Sequence, residues 1–221
     1  DPGSAFTDPT PASLAGLRVA LSTDFGGAFE VDTEVAGVVA SAASVFGAVD
    51  DIHPSLDEAE GTFRTLRAWH FQAMFGELLA AHPDAFKPSL ADNIRAGERL
   101  TGADVARAYR DRTTLSDRMR EFFAPDGQGY DVLVLPAAQV PPFPADQEYP
   151  ADINGRPQAT YLDWMRACYL ITVTGCPAIS VPFGRTRDGL PVGIQIVAAH
   201  GRDRFLLEVA AAVEAAVGSL G

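Results

Sequence analysis

The chain has 221 residues, of which 47% are hydrophobic and 21% charged, with 20 Gly and 16 Pro. That is the composition of a globular domain, and it excludes a collagenous, disordered or disulfide-knotted chain. The net charge of −12, from 29 acids against 17 bases, lacks the basic footprint that phosphate backbones and anionic lipids need, so neither nucleic acid nor a membrane is an expected partner.

In chain order, residues 1–15 carry three prolines and no hydrophobic period, which predicts an N-terminal linker without the charged and apolar regions of a secretory leader. Residues 17–21 predict a short strand, and Asp24-Phe25-Gly26-Gly27 a turn out of it. Asp32 is placed to cap a helix in which Glu34 meets the positive end of the dipole. Val35, Val38, Val39, Ala42, Val45 and Phe46 follow helical spacing, and residues 48–52 read as a second strand. A strand–helix–strand unit of this kind predicts a parallel pair.

Residues 56–82 are helical in pattern and stop at His82-Pro83, and the stretch around Lys87-Pro88 reads as a loop. The next helix opens at Thr101, where Thr101-x-x-Asp104 resembles a capping box. Its predicted buried stripe is Val105, Tyr109, Leu115, Met119, Phe122 and Phe123. Residues 131–136 are nearly all apolar, the pattern of a strand covered on both faces. Residues 136–157 hold six prolines and no period, a long loop of the sort that carries function. A helix over 161–169, strands over 178–182 and 192–198 around a Gly189-Leu190-Pro191 turn, and a helix capped by Asp203 complete the chain. Leu206, Val209, Ala210, Val213 and Val217 give that last helix its apolar face. Strands alternating with helices indicate an α/β layer architecture.

Few residues point to chemistry on their own. No G-x-S-x-G, S-x-x-K, H-E-x-x-H, C-x-x-C or P-loop pattern occurs. Asp24-Phe25-Gly26 matches a kinase triplet, but the loops that must precede it are absent. The acids and histidine at Asp50, Asp51, His53, Asp57, Glu58 and Glu60 have no ligand-loop spacing and read as a strand end followed by a solvated helix start, so no metal site is expected. His70 reads as a packing or surface residue, and His200 sits at a strand exit with no evident partner. Cys176 has no base beside it in sequence and reads as a small buried residue; Lys87, the only lysine, reads as a surface side chain. With just two cysteines, Cys168 and Cys176, a disulfide framework is not expected and a cytoplasmic location is the simplest reading.

One run is specific. Thr174-Gly175-Cys176-Pro177-Ala178-Ile179-Ser180-Val181-Pro182-Phe183-Gly184, then Gly189-Leu190-Pro191-Val192-Gly193-Ile194-Gln195-Ile196-Val197, then residues 204–214, resembles the C-terminal signature of the amidase signature family. Tyr130-Asp131-Val132-Leu133-Val134-Leu135-Pro136 resembles the family's strand before a proline-rich loop, and residues 17–35 resemble the opening of its C-terminal half. The resemblance runs from about Gly16 to Val217. It implies an α/β fold, a mixed β-sheet flanked by helices that forms the C-terminal portion of an α/β/α sandwich over residues 16–221. It further implies that Leu133, Ile179, Val181, Ile194 and Ile196 share one sheet, and that a chain cut from the sandwich presents unpaired strand edges and exposed apolar surface.

Family members hydrolyse amides with a Ser–Ser–Lys triad whose Gly/Ser-rich segment lies upstream of everything seen here. This sequence has no such run and Lys87 is out of context, so no catalytic residue is carried over and the chain alone is expected to be inactive. The resemblance implies a substrate-pocket-forming part of an amidase that converts carboxylic amides to acid plus amine or ammonia. By position, Tyr161, Trp164, Met165 and Tyr169 would shape an apolar acyl or leaving-group site; the same residues also fit a core at helical spacing. Met165 stands about where the family's glutamyl-tRNA amidotransferase A subunits carry a polar substrate contact, and nothing singles out that branch. The expected partner is a small-molecule amide, bound together with the absent half; no cofactor is implied, and a homodimer is neither required nor excluded. The alternative reading is a stand-alone, non-catalytic binding module derived from an amidase.

Overall fold

The computed structural model describes residues 2–218. The chain enters through a 3-10 turn at Gly3–Phe6, and the Ala12 N–H donates to the Glu208 carbonyl at 2.9 Å before the first strand begins. Residue 1 and residues 219–221, the outer ends of the two predicted segments, lie outside the described residues.

In chain order the elements are β1 (Val19–Leu21), α1 (Thr33–Ala40), α2 (Ala43–Phe46), β2 (Val49–Asp50), α3 (Ala59–Ala81), α4 (Pro88–Glu98), α5 (Gly102–Phe123), β3 (Val132–Pro136), β4 (Asp152–Ile153), β5 (Arg156–Pro157), α6 (Arg166–Thr172), β6 (Ala178–Arg185), β7 (Pro191–Val197) and α7 (Asp203–Gly218). The main sheet has the order β2-β1-β3-β7-β6. Its β2–β1 and β1–β3 pairs are parallel, whereas β3–β7 and β7–β6 are antiparallel. This is the expected mixed sheet flanked by helices. Leu133, Ile179, Val181, Ile194 and Ile196 do share it, with Val134 and Ile179 both opposite Ile196 and Val181 opposite Ile194.

Residue chemistry explains why these segments take these forms. Every residue of β3 is buried, as its unbroken apolar run requires of a strand covered on both faces. In β7 the side chain of Gln195 reaches the Ala167 carbonyl on α6, so alternation sends Ile194 and Ile196 to the opposite face, where α1 and α7 pack. Asp32 caps α1 by accepting from the N–H groups of Glu34 and Val35 at 2.9 and 3.3 Å. Thr101 and Asp104 close a reciprocal capping box on α5, the Asp104 N–H donating to Thr101 Oγ1 at 3.2 Å and the Thr101 N–H to Asp104 Oδ2 at 2.9 Å. Below the sheet, Phe122 stacks on Tyr130 at 4.8 Å, and the Tyr130 hydroxyl donates to Asp50 at 2.9 Å, tying α5 to the end of β2.

Several sequence expectations change. The Lys87-Pro88 stretch is not merely a loop: Pro88 opens α4, the first-turn position that suits a residue without an N–H. Its apolar Ala91 and Ile94 pack with Leu79 of α3 in a second small core. Tyr109 does not belong to the buried stripe of α5; it is 42% exposed and meets Trp69 edge-to-face. The helix expected over 161–169 is a 3-10 turn at Asp163–Met165 followed by α6. Asp203 is the first residue inside α7 rather than the residue preceding it. Among the described residues β6 is paired on one side only, and Met74 and Leu78 are exposed on α3. No helix among them is long and apolar enough to cross a membrane.

Candidate functional site

The long loop after β3 is pinned from both ends. Immediately past the strand, Gln139 is fully buried and its amide joins three segments. Its Nε2 donates to the carbonyls of Glu30 at 2.8 Å and Asp163 at 3.2 Å, while its Oε1 accepts from the Ala167 N–H at 3.2 Å. Its own carbonyl accepts from the Asp32 N–H at 2.8 Å. The loop, the entry to α1 and the start of α6 therefore meet on one side chain.

Farther along, Asn154 and Gly155 occupy the left-handed region at φ 53° and 79°, forming the turn between β4 and β5. The Asn154 side chain donates to the Val31 carbonyl at 2.7 Å, and Arg156 pairs with Glu30 at 2.7 Å, so the small hairpin is fastened to the α1 entry.

At the far end of the loop, Asp163 accepts from the Thr160 N–H at 2.8 Å and from Arg64 at 2.9 Å, with Arg166 at 3.4 Å. Glu60 completes the group, 2.8 Å from Arg64 and 3.5 Å from Arg166. Burial pushes the Asp163 carboxyl up, but Thr160, Arg166 and Arg64 outweigh it and hold Asp163 below the usual carboxylate range. Such a group stabilises the fold above the ordinary carboxylate pKa, and the contribution is lost as pH falls through the lowered native value. Asp163→Asn is expected to cost about 2 kcal/mol at pH 7. Urea denaturation should show the difference between the two proteins shrinking steadily as pH is lowered from 5 to 2.

Of the residues expected to line a pocket, the structure brings Tyr161 and Trp164 together and sends the others elsewhere. Tyr161 meets Trp164 edge-to-face at 6.2 Å, and the row extends to Tyr149 and Phe143 at 6.4 and 5.3 Å. Trp164 Nε1 is buried and has no hydrogen-bond partner among the described residues. Met165 is partly buried against the main core. Tyr169 is 1% exposed and stacks on Phe63 of α3 at 4.5 Å, where burial pushes its phenol up. Tyr161 also lines a cavity of about 540 Å³ bounded by α3, α4 and the loop.

The remaining singled-out groups are dispersed. Asp57 accepts from Ser55 at 2.7 Å, Glu58 pairs with Arg118 at 2.9 Å, and Asp50 and Glu60 take the partners given above, so the acidic run serves separate contacts. His70 and Lys87 are exposed. His200, by contrast, has partners that sequence did not reveal. Its Nε2 lies 2.9 Å from the Thr174 carbonyl, and its ring nitrogens stand 3.7 and 3.8 Å from Cys176 Sγ. The contact does not activate the thiol, because burial pushes Cys176 up to about 11. At pH 8 the native Cys176 should alkylate with iodoacetamide roughly a hundredfold more slowly than in urea, as followed by peptide mass spectrometry.

Comparison with known proteins gives a consistent result. The family pattern described as Amidase matches residues 59–207. An acylamidase of Rhodococcus erythropolis is 31% identical over 222 residues, covering 96% of this chain and 45% of the relative. A 6-aminohexanoate-cyclic-dimer hydrolase of Paenarthrobacter ureafaciens is 28% identical over 244 residues, covering 98% of this chain and 49% of its own length. The crystal structure of a bacterial aryl acylamidase of the amidase signature family superposes with a TM-score of 0.76 at 25% identity, over 96% of this chain and 45% of the other. The chain spans about half the length of the curated relatives it matches, roughly their C-terminal half.

Proposed function

This chain belongs to the amidase family, and from that premise we propose that it forms the C-terminal, substrate-pocket-forming part of an enzyme that hydrolyses carboxylic amides to acid plus amine or ammonia. The observation that carries this reading is end-to-end similarity to half of an acylamidase, with the sheet and helices of the family in place. In this reading the nucleophile and base come from the other half, as in the Ser–Ser–Lys enzymes that the sequence resembles; Tyr161 and Trp164 form the wall against which the amide's apolar groups rest, and Met165 and Tyr169 support that wall from the core. The pinning of the loop by Gln139 and Asp163 supports that role, since a substrate wall works only if its position is fixed. The unpaired side of β6 supports it too, as an edge that a complementary half can cover. The partner is then a small-molecule amide in the cytoplasm, and the net charge of −12 disfavours nucleic acid.

The test compares the 221-residue chain with the protein made from its complete gene, each assayed on an anilide and on a cyclic amide. The whole protein is expected to release amine while the 221-residue chain releases none. Turnover by the chain alone that survives purification, or an inactive whole protein, would overturn the proposal. The second outcome would favour a non-catalytic binding module.

A further inference from the structure

The cavity between α3, α4 and the proline-rich loop holds a cation with no counter-ion. Arg67 lines it from α3, and among the described residues no carboxylate lies within salt-bridge distance of its guanidinium. Its Nε is buried and makes no hydrogen bond, and the guanidinium stacks over Phe71 at 4.3 Å and more distantly over Phe63 at 5.8 Å. Burial accordingly pulls the Arg67 pKa down. A partly desolvated, unpaired charge is costly, and cation–π contact with two rings offsets only part of that cost. Arg64 on the same helix and Arg166 on α6, by contrast, have carboxylates of their own.

The surroundings say which anion fits. Phe71, Leu90 and Tyr161 supply half-buried apolar walls beside Arg67, within a space of about 540 Å³. That is enough for a single ring with a short substituent. Lys87 stands exposed at the rim, but so do Asp146 and Glu148, the latter accepting from the Ser89 hydroxyl at 2.6 Å. Those rim carboxylates oppose a dianion such as a phosphate ester, while one guanidinium fork matches one carboxylate. We propose that this cavity is a binding site for a monoanionic, ring-bearing carboxylate, its carboxylate on Arg67 and its ring against Phe71, Leu90 and Tyr161. The site stands whether or not the parent protein hydrolyses amides.

Fluorine NMR of the 221-residue chain tests this with 4-fluorobenzoate and its uncharged counterpart 4-fluorobenzamide as probes. Saturable binding of the benzoate at about millimolar strength is expected for so small a ligand. The benzamide should bind at least tenfold more weakly. Arg67→Met, which keeps an apolar stem on Phe71, should weaken benzoate binding at least tenfold, and Lys87→Met by no more than about twofold. Non-saturable binding, equal binding of acid and amide, or an unaltered affinity in folded Arg67→Met overturns the proposal. Should Arg67→Met fail to fold, the acid-to-amide ratio in the unaltered chain decides the matter alone.

Discussion

Gly97→Val is expected to lower the unfolding free energy by about 3 kcal/mol, and Gly97→Ala by about 2 kcal/mol. On helix propensity alone the second change would stabilise, because alanine is favoured over glycine by about 1 kcal/mol inside a helix. Geometry reverses the sign. A Cβ at Gly97 would stand 2.3 Å from the Ala68 carbonyl oxygen and 2.4 Å from Gln72 Cβ, both on α3. The first of these is backbone, so no rotamer change relieves it, and α3 is also packed on α5 and α6, which prevents it from moving aside. Relief requires α4 to lift, which opens the cluster of Leu79, Ala91 and Ile94. Gly61 provides the internal control: it lies on α3 with open space where a Cβ would go. Gly61→Ala should stabilise by about 0.5 kcal/mol. Urea midpoints of the three variants measure both signs in one experiment, and a stabilised Gly97→Ala would remove the close-approach explanation.

Gln139→Ala is expected to cost about 4 kcal/mol, the sum of a cavity and of buried groups left unpaired. The groups are the carbonyls of Glu30 and Asp163 and the N–H of Ala167, none of which can be reached by the substituted side chain. Gln139→Met separates the two contributions, since methionine fills nearly the same volume without a donor or an acceptor. It should still cost about 3 kcal/mol, because an unmet buried hydrogen bond is worth more here than the missing volume. A methionine variant as stable as the original protein would show that packing, not hydrogen bonding, holds the loop. Under the function proposed above, both variants placed in the whole protein should raise KM before they affect the chemical step, as loosening of the proposed substrate wall requires.

The contrast between these two residues and the elements around them shows which features are legible in sequence. The buried run of β3, the Asp32 cap and the Thr101–Asp104 box are all signals written within a few residues, and each element forms where its signal stands. The α4 helix carried a local signal as well, proline in a first turn, but reading Lys87-Pro88 as a loop hid it. The Asn154-Gly155 pair is likewise a hairpin signal, set inside the stretch whose six prolines and lack of period read as one long loop. Tyr109 fitted the helical period and still faces solvent, because periodicity gives a face and not the width of the neighbour that covers it.

The site itself was less accessible to such reading. Asp163 meets Arg64, and Gln139 meets Glu30, across separations that only the folded chain closes. Cys176 finds His200 in the same way, after the β6–β7 hairpin folds back. The one available hint was composition out of place, a glutamine directly after the most apolar strand in the chain, where a polar group persists only if something bonds to it. By contrast, the guanidinium of Arg67, without a carboxylate beside it among the described residues, becomes visible only in the folded chain.

The parallel pairing of β1 with β3 has a consequence for how the molecule assembles. Val19 lies beside Val132, although all of α1 to α5 intervenes between them in the chain. The β6–β7 hairpin and the α3–α4 pair close over short distances and can form early, whereas β1 must wait for its long excursion to be completed. The stitch that finishes the sheet is thus the same one that fastens the helical excursion to it. A protease cut in the exposed stretch 82–85 would leave β1 and β2 on one fragment and β3, β7 and β6 on the other, two pieces still joined edge to edge.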